Sequence, residues 1–223
     1  QRWFMDNRDL NREMASPVEL TPMFQKPSQR FGERLLRRLI DHVDYLLDLH
    51  TATTGYTNGI YARVDTRHPR AAELAAALSP PVIVNKPPAD GSLRAAAQAM
   101  AVPVVTLELG SPLGFEAHIV TDATAAVMRA LAKLGLIAGD DEVPETVMLT
   151  STRWLRAMTQ GLATVHVKPG DQVEKGQTLA TVVDFWGDQL EDVTTPVPGV
   201  VLGHIVHPQV YEGTRVVHLG INE

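Results

Sequence analysis

Val43-Asp44-Tyr45-Leu46-Leu47-Asp48-Leu49-His50-Thr51 decides how this chain is read, because an apolar, strand-like run ends there on a histidine. A second run, Ala101-Val102-Pro103-Val104-Val105-Thr106-Leu107-Glu108-Leu109-Gly110, ends in the same way on a carboxylate. The spacing predicts strands over 43–49 and 102–109, with His50 and Glu108 at or just past their ends. In an open α/β sheet, ligands and chemistry collect at that edge. A third segment, Arg8-Asp9-Leu10-Asn11-Arg12, lies in a loop-like opening rich in Asn, Asp and Ser-Pro. An imidazole, a carboxylate and an Asn-Arg pair suggest a metal, a general base and a clamp for an anionic substrate. The chain contains no His-x-x-Glu.

Working outward, Ser28 or Gln29 begins a helix whose residues Phe31, Leu35, Leu36, Leu39 and Ile40 have the 3/4 spacing of one buried face. A Thr/Gly/Asn-rich loop is expected over 51–59, an Ala-rich helix over 70–78 and a short buried strand over 81–84. A helix over 92–100 and a long one over 121–136, ending at Gly135, complete the pattern. Strands alternating with helices imply a mostly parallel sheet covered by helices. Near Asp140-Asp141-Glu142-Val143-Pro144 the helical period stops, and short β-prone runs are separated by turns such as Lys168-Pro169-Gly170-Asp171 and Val197-Pro198-Gly199. That cadence predicts a small all-β module of antiparallel strands. The expected division is therefore an α/β domain over 1–143 and a β domain over 144–223.

Composition narrows the function. A length of 223 residues suits one large domain or a domain with a small module, and 44% apolar residues are ordinary for a globular chain. A formal charge of −6 without a Lys/Arg-rich run argues against nucleic acid as a partner. With no cysteine, any zinc must use His and carboxylate, and a cytoplasmic location is favoured. No stretch approaches the ~20 apolar residues that span a bilayer, so no membrane partner is expected. The start, Gln1-Arg2-Trp3-Phe4-Met5, is not a signal peptide and lacks an initiator Met, and it reads as the middle of a longer sequence. The oligomeric state stays open, a homo-oligomer included.

Each candidate has an ordinary alternative. A lone histidine is more often a satisfied polar residue than a metal ligand. His50, however, has Asp48 two residues before it and a small, hydroxyl-rich loop after it, unlike the other seven histidines. Glu108 between Leu107 and Leu109 is costly to desolvate without a partner. It either pairs with an arginine, caps a loop, or takes a proton from metal-bound water. Asn11-Arg12 supplies an amide fork and a guanidinium fork that match a substrate carboxylate. The ordinary alternative is turn chemistry, with Arg12 paired to Asp9 or Glu13. Gly110 allows a substrate or backbone to approach closely.

The ordered set Arg2-Trp3-Phe4, Arg8-Asp9-Leu10-Asn11-Arg12, Asp48-Leu49-His50-Thr51-Ala52-Thr53-Thr54-Gly55, Asp90-Gly91-Ser92-Leu93-Arg94 and Glu108-Leu109-Gly110 resembles the succinylglutamate desuccinylase/aspartoacylase family. The resemblance covers essentially the whole chain. It implies a zinc-carboxypeptidase-like α/β domain, a mostly parallel sheet flanked by helices, followed by a small barrel-sandwich-like β domain. It also implies a zinc-dependent deacylase acting on N-acyl amino acids or similar small amides that carry a carboxylate. By the same resemblance His50 is a zinc ligand, Glu108 the base, Asn11 and Arg12 the carboxylate clamp, and Arg2 the group polarising the scissile carbonyl. The family's other two zinc ligands lie in a His-x-x-Glu motif before Arg-Asp-Leu-Asn-Arg, so they are expected upstream of this chain. The alternative is a degenerate, non-catalytic homologue that binds a small molecule. A biotinyl- or lipoyl-type carrier is a poorer reading, because the equivalent turn, Asp184-Phe185-Trp186-Gly187-Asp188, has no lysine.

Overall fold

A computed structural model describes residues 3–14, 25–139 and 144–222. Among the described residues, fourteen strands and four α-helices follow one another. Five strands form one sheet in the order β1-β5-β3-β4-β6: β1 is Leu46–His50, β3 Tyr61–Val64, β4 Val82–Asn85, β5 Val104–Glu108 and β6 Val147–Leu149. The helices are α1 (Pro27–Leu39), α2 (Pro69–Leu78), α3 (Leu93–Ala99) and α4 (Ala117–Lys133). This is the mixed α/β architecture expected from the alternation of strand and helix patterns. Among the described residues, no helix is long and apolar enough to cross a membrane.

The chain divides into two compact units: Gln1–Asp48, Val64–Ala76 and Lys86–Thr106 make one, and Leu49–Arg63, Ala77–Asn85 and Leu107–Glu223 the other. In the first unit, α1 starts at a proline, whose missing N–H is no loss in a first helical turn. Its buried face differs from the expected one. Ile40 is buried as expected, but Phe31 and Leu39 are exposed, and Ser28 and Gly32 are buried in their place. The reason is a close approach by the opening loop. A Cβ on Gly32 would lie 3.1 Å from the Glu13 carbonyl oxygen, and Ser28 donates from both N and Oγ to Asp6 Oδ2, at 3.0 and 2.6 Å. Phe31 instead meets the Phe4 ring at 5.2 Å. Ile40, Ala97 and Val104 form a small core with Leu36, Leu46 and Leu93.

The second unit contains the antiparallel strands expected after residue 144. One sheet runs β11-β10-β8-β13 (Gln189–Thr194, Thr178–Val183, Gly161–Val165, Gln209–Val210). The other runs β2-β12-β14-β7 (Tyr56–Asn58, Gly199–Ile205, Arg215–Ile221, Ser151–Arg156), with β9 (Gln172–Val173) also paired to β12. One apolar cluster draws on both sheets, including Leu179, Val182, Val201, Val217 and Leu219. Two findings go beyond the sequence reading. The expected 51–59 loop contains β2, paired antiparallel to β12 through Gly203↔Asn58, His204↔Thr57 and Ile205↔Tyr56. And β6 pairs in parallel with β4 through Val82↔Val147 to Val84↔Leu149. The hairpin between β10 and β11 is closed by Asp184 Oδ1, which accepts from Trp186 N at 2.8 Å and Asp188 N at 2.9 Å.

Asp65, buried in the first unit, accepts from Arg67 Nε and Nη2 at 2.8 and 2.7 Å and from Gln98 Nε2 at 3.0 Å. The Arg67 hydrogen bond foremost, with Gln98 adding to it, holds the Asp65 carboxyl well below the usual carboxylate range. A depressed folded-state pKa gives stability that is complete above the unfolded value, about 3.9, and is lost as pH falls below it. Denaturation midpoints measured from pH 6 down to pH 2 are expected to drop in the acid range, and to drop less in Asp65→Asn. An identical acid dependence in the variant would remove Asp65 from that role.

Candidate active site

His50 and Glu108 stand at the ends of neighbouring strands, as their positions in the two apolar runs predict. β1 and β5 run in the same direction: Leu46 N donates to Pro103 O at 2.9 Å near their starts, and Leu109 N to His50 O at 2.8 Å at their ends. The loops that follow stay together. The Gly110 carbonyl accepts from Ala52 N at 3.1 Å and from Asn58 N at 3.2 Å. Gly110 has φ +55, and a Cβ there would run into the Glu116 carboxylate, which accepts from Ser111 N at 2.7 Å. The expected close neighbour of this glycine is a substrate or backbone; the structure instead puts the Glu116 side chain there, a residue the motifs do not single out.

Every residue of β5 is buried, and Glu108 is 6% exposed. Its two oxygens are separately engaged. Arg63 Nη2 lies 3.0 Å from Oε1, and Asn58 Nδ2 donates to Oε2 at 3.1 Å. Arginine pairing was one alternative weighed for Glu108, and the structure supplies it. It leaves each oxygen a further lone pair for a proton, since an ionised carboxylate has about four acceptor positions. Beside it, burial and then the Glu108 charge push the Tyr61 hydroxyl far up, so that it stays a neutral phenol. Arg63 and Asn58 were missed from the sequence. The only signal for Arg63 was one charge in the run Ile60-Tyr61-Ala62-Arg63-Val64, and Asn58 looked like turn chemistry.

In the first unit two motifs far apart in sequence dock on each other. Asn11 Oδ1 accepts from Leu93 N at 2.7 Å, across 82 residues. Met14 N donates to Gly91 O at 2.8 Å. Gly91 has φ +72, and the place of its Cβ is filled by the Arg12 carbonyl. Only glycine fits there. Ser92 caps α3 by accepting from Ala95 N at 3.1 Å, and the buried Arg94 donates to Lys86 O at 2.7 Å. Arg12 is exposed and its Nη1 donates to the Asn11 carbonyl, whereas Arg8 makes the ion pair to Glu13. Thus Asn11 spends its side-chain oxygen within the fold. Arg2, the expected carbonyl-polarising residue, lies outside the described residues.

Residues 1–134 match the model of the succinylglutamate desuccinylase/aspartoacylase catalytic domain. No curated protein matches the chain by sequence. Among solved structures, the chain is similar to the apo ectoine utilization protein EutE (DoeB) of Ruegeria pomeroyi, with a TM-score of 0.82 and 20% identity over 96% of this chain and 70% of that one. It is also similar to a succinylglutamate desuccinylase from Silicibacter sp. TM1040 (TM-score 0.81, 19% identity, 98% of this chain and 68% of that one). A succinylglutamate desuccinylase/aspartoacylase from Rhodobacter sphaeroides gives a TM-score of 0.80 and 18% identity over 98% of this chain and 69% of that one. At such identities the likeness speaks for the fold.

Zinc in a catalytic site takes three protein ligands and keeps a fourth position open. Among the described residues, no group of three or more His, Asp or Glu is placed to hold a metal. The described residues therefore do not fit a complete zinc site by themselves, with His50 the one ligand assigned from the motif. After equilibration with zinc and removal of the excess, the 223-residue chain is expected to retain well under one ion per molecule by elemental analysis. One tightly held zinc per chain would show that the donor set extends beyond His50.

Proposed function

Because the chain belongs to the succinylglutamate desuccinylase/aspartoacylase family, a family of amide hydrolases, we propose that it removes the acyl group from a small N-acyl amino acid or a related amide bearing a carboxylate. The observation that carries this reading is the pairing of His50 and Glu108 at the ends of two neighbouring parallel strands, with Glu108 buried and oriented. In the proposed reaction water attacks the acyl carbonyl carbon. Glu108 accepts a proton from that water and returns it to the amide nitrogen as the carbon–nitrogen bond breaks. Arg12 and the Nδ2 group of Asn11 hold the substrate carboxylate, and Arg2 draws charge from the scissile carbonyl. His50 is assigned to zinc within the same proposal, together with ligands that the described residues do not supply.

We place the functional boundary near residue 143, with the following strands serving the catalytic part as scaffold, and the protein in the cytoplasm. The cysteine-free composition supports that location.

Screening zinc-loaded protein that includes the expected upstream His-x-x-Glu segment against N-acetyl and N-succinyl amino acids is expected to find turnover. Carboxylate-dependent binding without hydrolysis would favour the non-catalytic homologue instead. Glu108→Gln is expected to keep the fold while lowering kcat by a factor on the order of 10²–10⁴. Near-normal turnover would take Glu108 out of the mechanism.

Arg12→Lys keeps the charge but loses the planar fork. The expected loss is about 1.5–3 kcal/mol in kcat/KM for carboxylate-bearing substrates, and much less for neutral amide analogues. An equal loss on both kinds of substrate would make Arg12 a structural residue.

A further inference from the structure

We infer that Asn58 and Arg63 are positioning residues for Glu108, and that Gly203 on β12 sets the position of Asn58. The inference rests on Glu108 being the base, as proposed above. A carboxylate that moves a proton must present one oxygen at a fixed angle, and an error of about 1 Å in placing a reacting group costs on the order of a hundredfold in rate. Glu108 has no freedom to drift, because Arg63 holds Oε1 at 3.0 Å and Asn58 holds Oε2 at 3.1 Å. Two donors on two oxygens fix the plane of the carboxylate, where a single donor would only tether it.

Asn58 is itself placed by residues almost 150 positions further along the chain. β2 is three residues long and has little stability of its own. Its pairing to β12 puts Gly203 directly opposite Asn58. A Cβ on Gly203 would collide with Asn58 Oδ1 and with the Thr57 carbonyl, so the approach of β12 to β2 depends on glycine at that position. Two further contacts fix the strand. Gly59 N donates to Leu202 O at 2.9 Å, and the Tyr56 and Trp154 rings meet in a T-shaped pair 5.5 Å between centroids, with Trp154 in turn stacked on His218 at 4.4 Å. The C-terminal strands thus reach Glu108 through a short chain of contacts: β12, Gly203, Asn58, carboxylate.

The test is a double-mutant cycle on hydrolysis of N-acetyl and N-succinyl amino acids by zinc-loaded protein that includes the expected upstream His-x-x-Glu segment, with Asn58→Ala, Gly203→Ala and the pair. Each single variant is expected to lower kcat about tenfold to a hundredfold, with KM within about twofold of the parent. The pair should be no worse than the more damaged single, because both act through one contact. Arg63→Lys, which retains the charge, should recover part of the kcat lost in Arg63→Ala. Unchanged kcat in Asn58→Ala, or losses that multiply in the pair, would overturn the inference. Should Gly203→Ala fail to fold or the parent turn over none of these substrates, crystal structures of Asn58→Ala and the parent decide. A turned Glu108 carboxylate supports the inference and an unmoved one overturns it. Glu108→Gln keeps the two readings apart. If that variant retains turnover, Glu108 is not the base. If it is inactive while Asn58→Ala is fully active, only the positioning role fails.

Discussion

Burying the Glu108 carboxylate at the end of β5 obliges the fold to bring polar partners to it, since an ionised group taken out of water without them costs several kcal/mol. Those partners come from two directions. Arg63 is supplied by β3, an otherwise apolar strand, and Asn58 by β2, which pairs with the C-terminal strand β12. The loops after β1 and β5 then close around the Gly110 carbonyl, which keeps His50 and Glu108 at one edge. The pairing of β2 with β12 is thus one of the contacts that make this buried carboxylate tolerable.

The opening segment obeys a similar constraint with different chemistry. Asn11 and Arg12 lie in a short 3-10 turn that begins at Asp9, whose side chain accepts from Asn11 N at 3.1 Å. A turn of this size cannot hold its own shape, so it borrows order from the N-terminus of α3. The Asn11 oxygen satisfies the Leu93 N–H, one of the donors that a helix start leaves without a partner within the helix. Gly91 lets the two backbones touch. The Asn-Arg pair therefore has a structural part: its backbone and the Asn11 amide oxygen serve the fold, and the exposed Arg12 donates from Nη1 to the Asn11 carbonyl.

The C-terminal strands resemble a carrier domain in cadence but not in chemistry. A carrier needs a lysine at the tip of its hairpin, and the β10–β11 tip presents Phe185 and Trp186 between Asp184 and Asp188. The strands do their work at the other sheet, where β12 meets β2 and β14 stacks His218 on Trp154. A scaffold role for the hydrolase fits this arrangement.

Much of this protein could be read from the order of residues. Apolar runs capped by His50 and Glu108 located both strand ends, because alternation and burial leave their mark on local composition. Helices α1 to α4 were legible from period and capping, and the five ordered motifs carried the family. What could not be read was any choice made by a distant neighbour. The buried face of α1 turned to Gly32, against the Glu13 backbone, and to Ser28, which donates to Asp6. β2 looked like a loop because a three-residue strand has no pattern of its own, and β6 carried no sign that it would pair with β4. Sequence alone marked His50 and Glu108 as candidates, since a polar residue type at the end of an apolar strand is visible in residue order. Tertiary structure alone decided which groups would hold them, because Arg63, Asn58 and Gly203 gain their meaning only from being packed against residues far along the chain.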